Sequence, residues 1–185
     1  MSKLKKNNVE KYLRHFAETI IKRGKQILKA KKKNVSGKLL DSLKYRLEAT
    51  SKGYNLIFKG ADYATFVDKG VSGTKTTRTY HNVFGKRERS PFKYTTKQPP
   101  ASVLDKWIVK KGFGEIRDKK GRFISRKSLQ FLLARSIKSK GIKGTNFYSD
   151  PLSKAFTTGT TDNFAVKMAQ AFKQDIITHF ENIEL

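Results

Sequence analysis

Apolar or small residues recur at Val9, Tyr12, Leu13, Phe16, Ile20, Gly24, Ile27 and Leu28, with Lys and Arg filling the opposite side. Steps of three and four predict a long amphipathic helix over residues 9–28. Lys31-Lys32-Lys33-Asn34 ends the pattern, where cations suit a helix C-terminus. Ser36-Gly37 is expected to open a short second turn bearing Leu39 and Leu40, with Ser36 as its cap. The period then changes to two. Leu43, Tyr45 and Leu47 alternate with Lys44, Arg46 and Glu48, Lys52-Gly53 punctuates, and Tyr54 to Phe58 reads as the returning strand of a hairpin. From Asp62 a short helix is expected, with Tyr63, Phe66 and Val67 on one face and Gly70 at its end.

Residues 71–98 break this regularity. They are polar and rich in Thr, Lys and Arg, with few apolar anchors, as in a functional excursion or a flexible arm. Gln98-Pro99-Pro100 stops the stretch, and Ser102 is the expected cap of a helix carrying Val103, Leu104, Trp107 and Ile108. The turn signal Asp118-Lys119-Lys120-Gly121 between Ile116 and Phe123-Ile124 predicts a second, basic hairpin over 115–125. Ser128 to Lys138 reads as a helix with Leu129, Leu132, Leu133 and Ile137 inward, ended by Gly141. Asp150-Pro151 starts a short element with Leu152, Ala155 and Phe156. Over 162–182, Phe164, Met168, Phe172, Ile176 and Phe180 follow in steps of four, a final amphipathic helix. A chain of 185 residues suits a single domain over 1–185.

Composition narrows the function. The chain has 185 residues, 37% of them hydrophobic, enough to build a core. Its 41 Lys and Arg against 15 Asp and Glu give a formal charge of +26. Residues 1–38 carry +11 and residues 39–161 carry +17, while 162–185 carry −2. Self-repulsion of this size calls for an anionic companion: DNA, RNA, an anionic membrane or an acidic protein. The longest apolar run, Leu129 to Ala134, is broken by Gln130 and falls far short of the roughly 20 residues of a membrane span. No apolar segment follows the basic N-terminus as a signal peptide requires, so a soluble, non-exported chain is expected. Cysteine is absent, which removes disulfides, thiolate zinc sites and cysteine nucleophiles, and fits assembly in a reducing cytoplasm.

Candidate chemistry is sparse. His15, His81 and His179 are far apart in sequence and read as surface or boundary residues. Gly70-Val71-Ser72-Gly73-Thr74-Lys75-Thr76 fails the phosphate-loop spacing, because Thr74 separates the second Gly from Lys75. Asp62, Asp68, Asp105, Glu115, Asp118 and Asp150 form no legible pair for acid–base or two-metal chemistry. An enzyme is disfavoured, and no cofactor or metal is implied. What stands out is a set of basic residues interleaved with aromatics: Lys75, Arg78, Lys86, Arg87, Arg89 and Lys93 among Tyr80, Phe84, Phe92 and Tyr94. With Lys119, Lys120 and Arg122 of the second hairpin, these are the candidate DNA- or subunit-contacting residues. Cationic groups release counterions from a phosphate backbone and rings stack on bases, but the same pattern fits a loop ordered against a neighbouring subunit.

Several spacings resemble the neck (head–tail connector) and tail-completion proteins of tailed double-stranded-DNA phages. Val35-Ser36-Gly37-Lys38-Leu39-Leu40-Asp41-Ser42-Leu43 is similar to that family's turn between first helix and first strand. Tyr63-Ala64-Thr65-Phe66-Val67-Asp68-Lys69-Gly70 resembles its Tyr-Ala…Val-Glu-x-Gly segment. Pro99-Pro100 with Trp107-Ile108 and Lys111-Gly112 follows, then Leu133 to Ile137, Lys140-Gly141-Ile142, and Phe147 ahead of Pro151-Leu152. Asp68 stands where Glu is common, Lys69 where a neutral or small residue is usual, and the 71–98 excursion is long and basic. The family-like structural residues are Gly37, Leu40, Ser42, Tyr63, Ala64, Val67, Gly70 and Trp107. The resemblance implies an α+β fold, a small antiparallel sheet with hairpins flanked by long N- and C-terminal helices, assembled head-to-tail into a ring. It also implies a virion location, after assembly in the host cytoplasm. The partners would be copies of the chain, the portal, neighbouring neck or tail proteins and the genome duplex crossing the lumen, with no membrane. On charge alone, the alternative is a free, non-sequence-specific nucleic-acid-binding protein. Whatever the function, Tyr63, Phe66 and Trp107 are expected in the core, and Gly37 and Gly70 at turns.

Overall fold

The computed structural model describes residues 7–32, 36–113, 116–157 and 163–181. Lys33, Asn34, Val35, Glu115, Asp162 and the Phe180 side chain, all invoked above, lie outside the described residues. Among the described residues, seven helices and two small antiparallel two-stranded sheets make an α+β fold bounded by long helices near both ends.

The first helix, α1 (Asn8–Ala30), forms where the apolar period predicts it. Asn7 caps it by accepting from the Glu10 amide at 2.7 Å, and Glu10 pairs with Arg14 one turn on. Its buried stripe is Val9, Leu13, Phe16, Ala17, Ile20, Gly24 and Leu28. Gly24 sits in that stripe because a Cβ there would lie 3.0 Å from the carbonyl oxygen of Phe147, a fully buried ring. Next comes α2 (Lys38–Ser42), whose N-cap is Gly37 in the left-handed region (φ 78°) rather than Ser36.

The first hairpin pairs β1 (Lys44–Thr50) with β2 (Gly53–Lys59) from Lys44↔Lys59 to Thr50↔Gly53. Tyr45↔Phe58, Leu47↔Leu56 and Ala49↔Tyr54 therefore share one face, and α1 packs beside both strands. The next helix, α3 (Ala64–Lys69), is stopped by Gly70. The expected face is corrected there: Ala64 and Asp68 are buried, whereas Tyr63 is 44% and Phe66 43% exposed. Phe66 rests instead on Phe92 of the excursion, with ring centroids 4.3 Å apart.

The 71–98 stretch is an excursion but an anchored one, with its own hairpin of β3 (Thr79–His81) and β4 (Arg87–Arg89). A 3-10 turn (Ala101–Leu104) follows Pro100 and runs into α4 (Asp105–Lys110), so Ser102 lies inside the turn and caps nothing. Next, α5 (Arg126–Lys140) starts earlier than its apolar period suggests, because Ser125 caps it by accepting from the Ser128 amide. Leu129 and Ala134 face inward, but Leu132 is 50% exposed. The chain ends through α6 (Ser149–Thr157) and α7 (Phe164–Glu181).

Leu28, Leu39, Leu40, Leu43, Ala64 and Phe147 form the central core. At the far end of α1, Tyr12 and Phe16 meet Phe156 and Phe164 in an aromatic cluster. Beyond Phe164 the apolar face of α7 is largely open, since Phe172 and Ile176 remain exposed. Asp175 of α7 accepts from the Asn8 and Val9 amides at 2.6 and 3.0 Å, placing a carboxylate on the N-terminus of α1. Among the described residues, no helix is long and apolar enough to cross a membrane.

Candidate nucleic-acid and subunit interface

The root of the excursion is tied to the C-terminal end of α5. Val71 and Ile142 exchange backbone hydrogen bonds, and the Thr74 and Lys75 amides donate to the Lys138 and Ser139 carbonyls at 2.9 Å. Gly73 and Gly141 make this approach possible, because a Cβ on either would fall 2.1 Å from a backbone carbonyl oxygen. The glycines of the phosphate-loop-like stretch thus serve backbone contact.

Further out, Tyr80 and Glu88 face each other across β3 and β4, and the Tyr80 hydroxyl donates to Glu88 at 2.8 Å. The Asn82 side-chain amide donates to the other Glu88 oxygen at 2.7 Å, and Asn82 Oδ1 accepts from the Phe84 and Lys86 amides, closing the turn. These bonds hold the Glu88 carboxyl below its usual range, Tyr80 first and Asn82 next. The same bond pushes the Tyr80 hydroxyl up. Lys69 lies over the Tyr80 ring, 4.8 Å from its centroid.

With Glu88 drawn to one side, strand alternation puts Arg87 and Arg89 on the other. Arg87 bonds Thr79 Oγ1 through Nε, and Arg87 and Arg89 are both exposed. Lys75, Lys86 and Lys93 are exposed as well. Arg78 differs from this group. It is half-buried, its amide donates to Ser72 Oγ, and its Nε is enclosed without a partner. At the turn, Phe84 is 74% exposed.

The second hairpin spans 116–124 with a single bridge, Arg117↔Phe123. Asp118 accepts from the Lys120 and Arg122 amides and from Arg122 Nε. Those bonds, the Arg122 amide foremost, hold its carboxyl below the usual range. Arg117 donates to the Gly121 carbonyl and covers the Phe123 ring at 3.9 Å. Arg117 and Arg122 therefore build the hairpin, while Lys119 and Lys120 project from its tip and are exposed. This hairpin precedes the first turn of α5, whereas the excursion is rooted at its last. The two basic elements lie at opposite ends of a helix about 22 Å long, so the predicted residues form two separate surfaces.

Most of the family-like residues converge, though Trp107 does not. Ser42 Oγ donates to the Leu39 carbonyl and accepts from the Ala61 amide. Leu40 and Ala64 share the core with Phe147, and the Val67 carbonyl accepts from the Thr145 amide and hydroxyl. Gly70 (φ 74°) packs against Gly144, where a Cβ would meet its amide at 2.6 Å. Tyr63 sits at the head of α3, and Trp107 is half-buried beside Phe113 instead of in the core.

Sequence reading missed Asp68 as a structural hub. It is buried, accepts from the Tyr148 and Ser149 amides at 2.8 and 3.2 Å, and takes the Ser149 hydroxyl on its second oxygen. The nearby Ser149-Asp150-Pro151 helix start was the available signal. Among the histidines, His81 lies 3.4 Å from Asp150 as an exposed pair. Among the described residues no three His, Asp or Glu side chains gather at one point. Compared with known proteins, the chain matches no family model, no curated protein and no solved structure.

Proposed function

We propose that this chain is a ring-forming structural subunit of the neck, or of the tail-completion station, of a tailed double-stranded-DNA phage, with genome DNA passing through the ring. The observation that carries the reading is the convergence of the family-like segments. Residues 37–43, 61–71 and 141–151 are far apart in sequence yet build one junction. Ser42 to Ala61, Val67 to Thr145, Asp68 to Tyr148 and Ser149, and Val71 to Ile142 are its bonds. The order and spacing of those segments thus have a packing reason.

The exposed surface supports an assembly. The chain exposes 13605 Å², against about 9000 Å² for a compact monomer of its 21.1 kDa. The excess persists even with every undescribed residue counted as fully extended. Large apolar groups are among the exposed ones, including Phe66, Phe84, Phe123 and Phe172. A net charge of +26 per copy, multiplied around a ring, is balanced by duplex DNA in the lumen and by acidic neighbouring rings. The excursion and the second hairpin are the elements that reach, one toward lumen or neighbour and the other toward the next ring. The role is positional and mechanical, without turnover.

Electron micrographs of the purified chain, or of particles that contain it, test this. Closed rings or ring density are expected. A strictly monomeric protein absent from particles overturns it. Free binding of nucleic acid without sequence preference is the second reading, favoured by the exposed Lys119 and Lys120 at the hairpin tip. It predicts affinity that falls steeply with salt, and stable assembly in high salt with negligible DNA affinity rejects it.

A further inference from the structure

We infer that the lysine-rimmed groove between α1 and β1 receives residues 181–185 of a second copy of this chain, forming a head-to-tail contact. The ring reading supplies the setting, but the contact is argued from the groove. It is an open groove of about 710 Å³. Lys22, Lys25 and Lys29, at steps of three and four along α1, and Lys44 of β1 form its rim, over an apolar floor of Ile21 and Leu43. Glu18, the one carboxylate lining it, already accepts from the Tyr45 hydroxyl at 3.2 Å. Among the described residues none of the four lysines pairs with a carboxylate.

A cationic rim over an apolar floor fits a ligand that combines carboxylates with aliphatic side chains. A phosphate backbone supplies the charge and nothing for the floor. Within this chain the segment from 162 onward is the one of net negative charge, and it closes with Glu181-Asn182-Ile183-Glu184-Leu185. Its two carboxylates and two aliphatic groups match the groove in kind. Among the described residues the outer edge of β1 has no neighbouring strand, so an extended segment beside Lys44 can also add backbone hydrogen bonds.

The occupant comes from another copy because a chain's own segment cannot reach. The two long helices are antiparallel: Phe164 rests on Tyr12 and Phe16, while Asp175 meets the amides of Asn8 and Val9. Glu181 therefore lies beyond the N-terminus of α1. From Asn8 to Lys25 the helix rises about 26 Å in the opposite direction, and residues 182–185 span at most about 14 Å. A groove on one copy filled by the end of the next is a heterologous contact, which propagates into a ring or a filament.

Charge exchange in the full-length chain tests the contact. K22E/K25E and E181K/E184K should each weaken self-association at least about tenfold, read by sedimentation velocity near 0.15 M salt. The quadruple variant should restore it, with circular dichroism melting confirming that all variants fold. Separately, a fluorescent peptide of residues 174–185 should bind the wild-type chain saturably, and lose about tenfold when Ile183 and Leu185 are replaced by Ser or when the chain carries K22E/K25E. Failure of the exchange to restore association, or peptide binding indifferent to these changes, overturns the inference. So does K22E/K25E that self-associates normally but loses duplex-DNA affinity, which makes the groove a phosphate-backbone surface. Wild-type rings that survive both double variants reject this contact and leave the ring reading standing. Specific peptide binding by a chain that never forms rings keeps the contact and rejects the ring.

Discussion

Asp68 joins the α3 turn to the start of α6 with its two carboxylate oxygens, and no other described side chain makes those bonds. Asp68→Ala leaves two amides and a hydroxyl without their acceptor in a buried site, and a loss of about 3 kcal/mol is expected in urea unfolding. Nearby, burial pushes the Tyr148 hydroxyl up to about 12. Tyr12 and Tyr94 are pushed upward for the same reason. The native chain holds these protons more tightly than the unfolded one, whose tyrosines titrate near 10. Their share of stability is therefore intact below about pH 10 and is lost as pH rises toward about 12. Tyr148→Phe should flatten that decline relative to wild type, read as unfolding midpoint against pH. An unchanged slope removes Tyr148 as a cause.

At the scale of elements, the excursion and the second hairpin both look like solvated basic loops in sequence, and both hold themselves together by local polar bonds. Glu88 and Asn82 organise one, Asp118 and Arg117 the other. The excursion also depends on close backbone approach to α5. Gly73→Ala places a methyl group against the Ser139 carbonyl, and a drop of more than about 2 kcal/mol is expected, against almost none for the exposed Thr74→Ala. Thermal melts of both variants decide this. Lys119 and Lys120 are free of such duties, so Lys119→Ala with Lys120→Ala should leave stability unchanged. If the tip touches phosphate, the double variant lowers the salt slope of DNA affinity by about 0.9 for each phosphate that it no longer neutralises. An unaltered slope assigns the tip to a protein neighbour.

For the whole molecule, one charge sign dominates and the apolar surface is incompletely covered. A chain built this way gains stability from what it binds. Short duplex DNA should raise the thermal midpoint of the isolated chain at low ionic strength, and the gain should vanish near 0.5 M salt as screening shortens to a few ångströms. A midpoint indifferent to DNA at every salt concentration would shift the counter-charge to an acidic protein partner.

Period and punctuation alone placed α1, the first hairpin and α7, and α5 to within a turn, because which face is apolar is a local property. Charge and the absence of cysteine were equally legible. Caps were less so. Gly37 replaces Ser36, and Ser102 lies inside a 3-10 turn and caps nothing, since a cap depends on the entering backbone as well as on the side chain. Only the tertiary structure decided that Phe66 leaves the core for Phe92, that Asp68 is buried, and that Arg78 is enclosed while Lys119 stands free. It also separated the two basic hairpins and gathered four lysines over Ile21 and Leu43. Each of those outcomes is set by residues distant in sequence, and a linear pattern holds no trace of a neighbour that the chain meets only after it has turned.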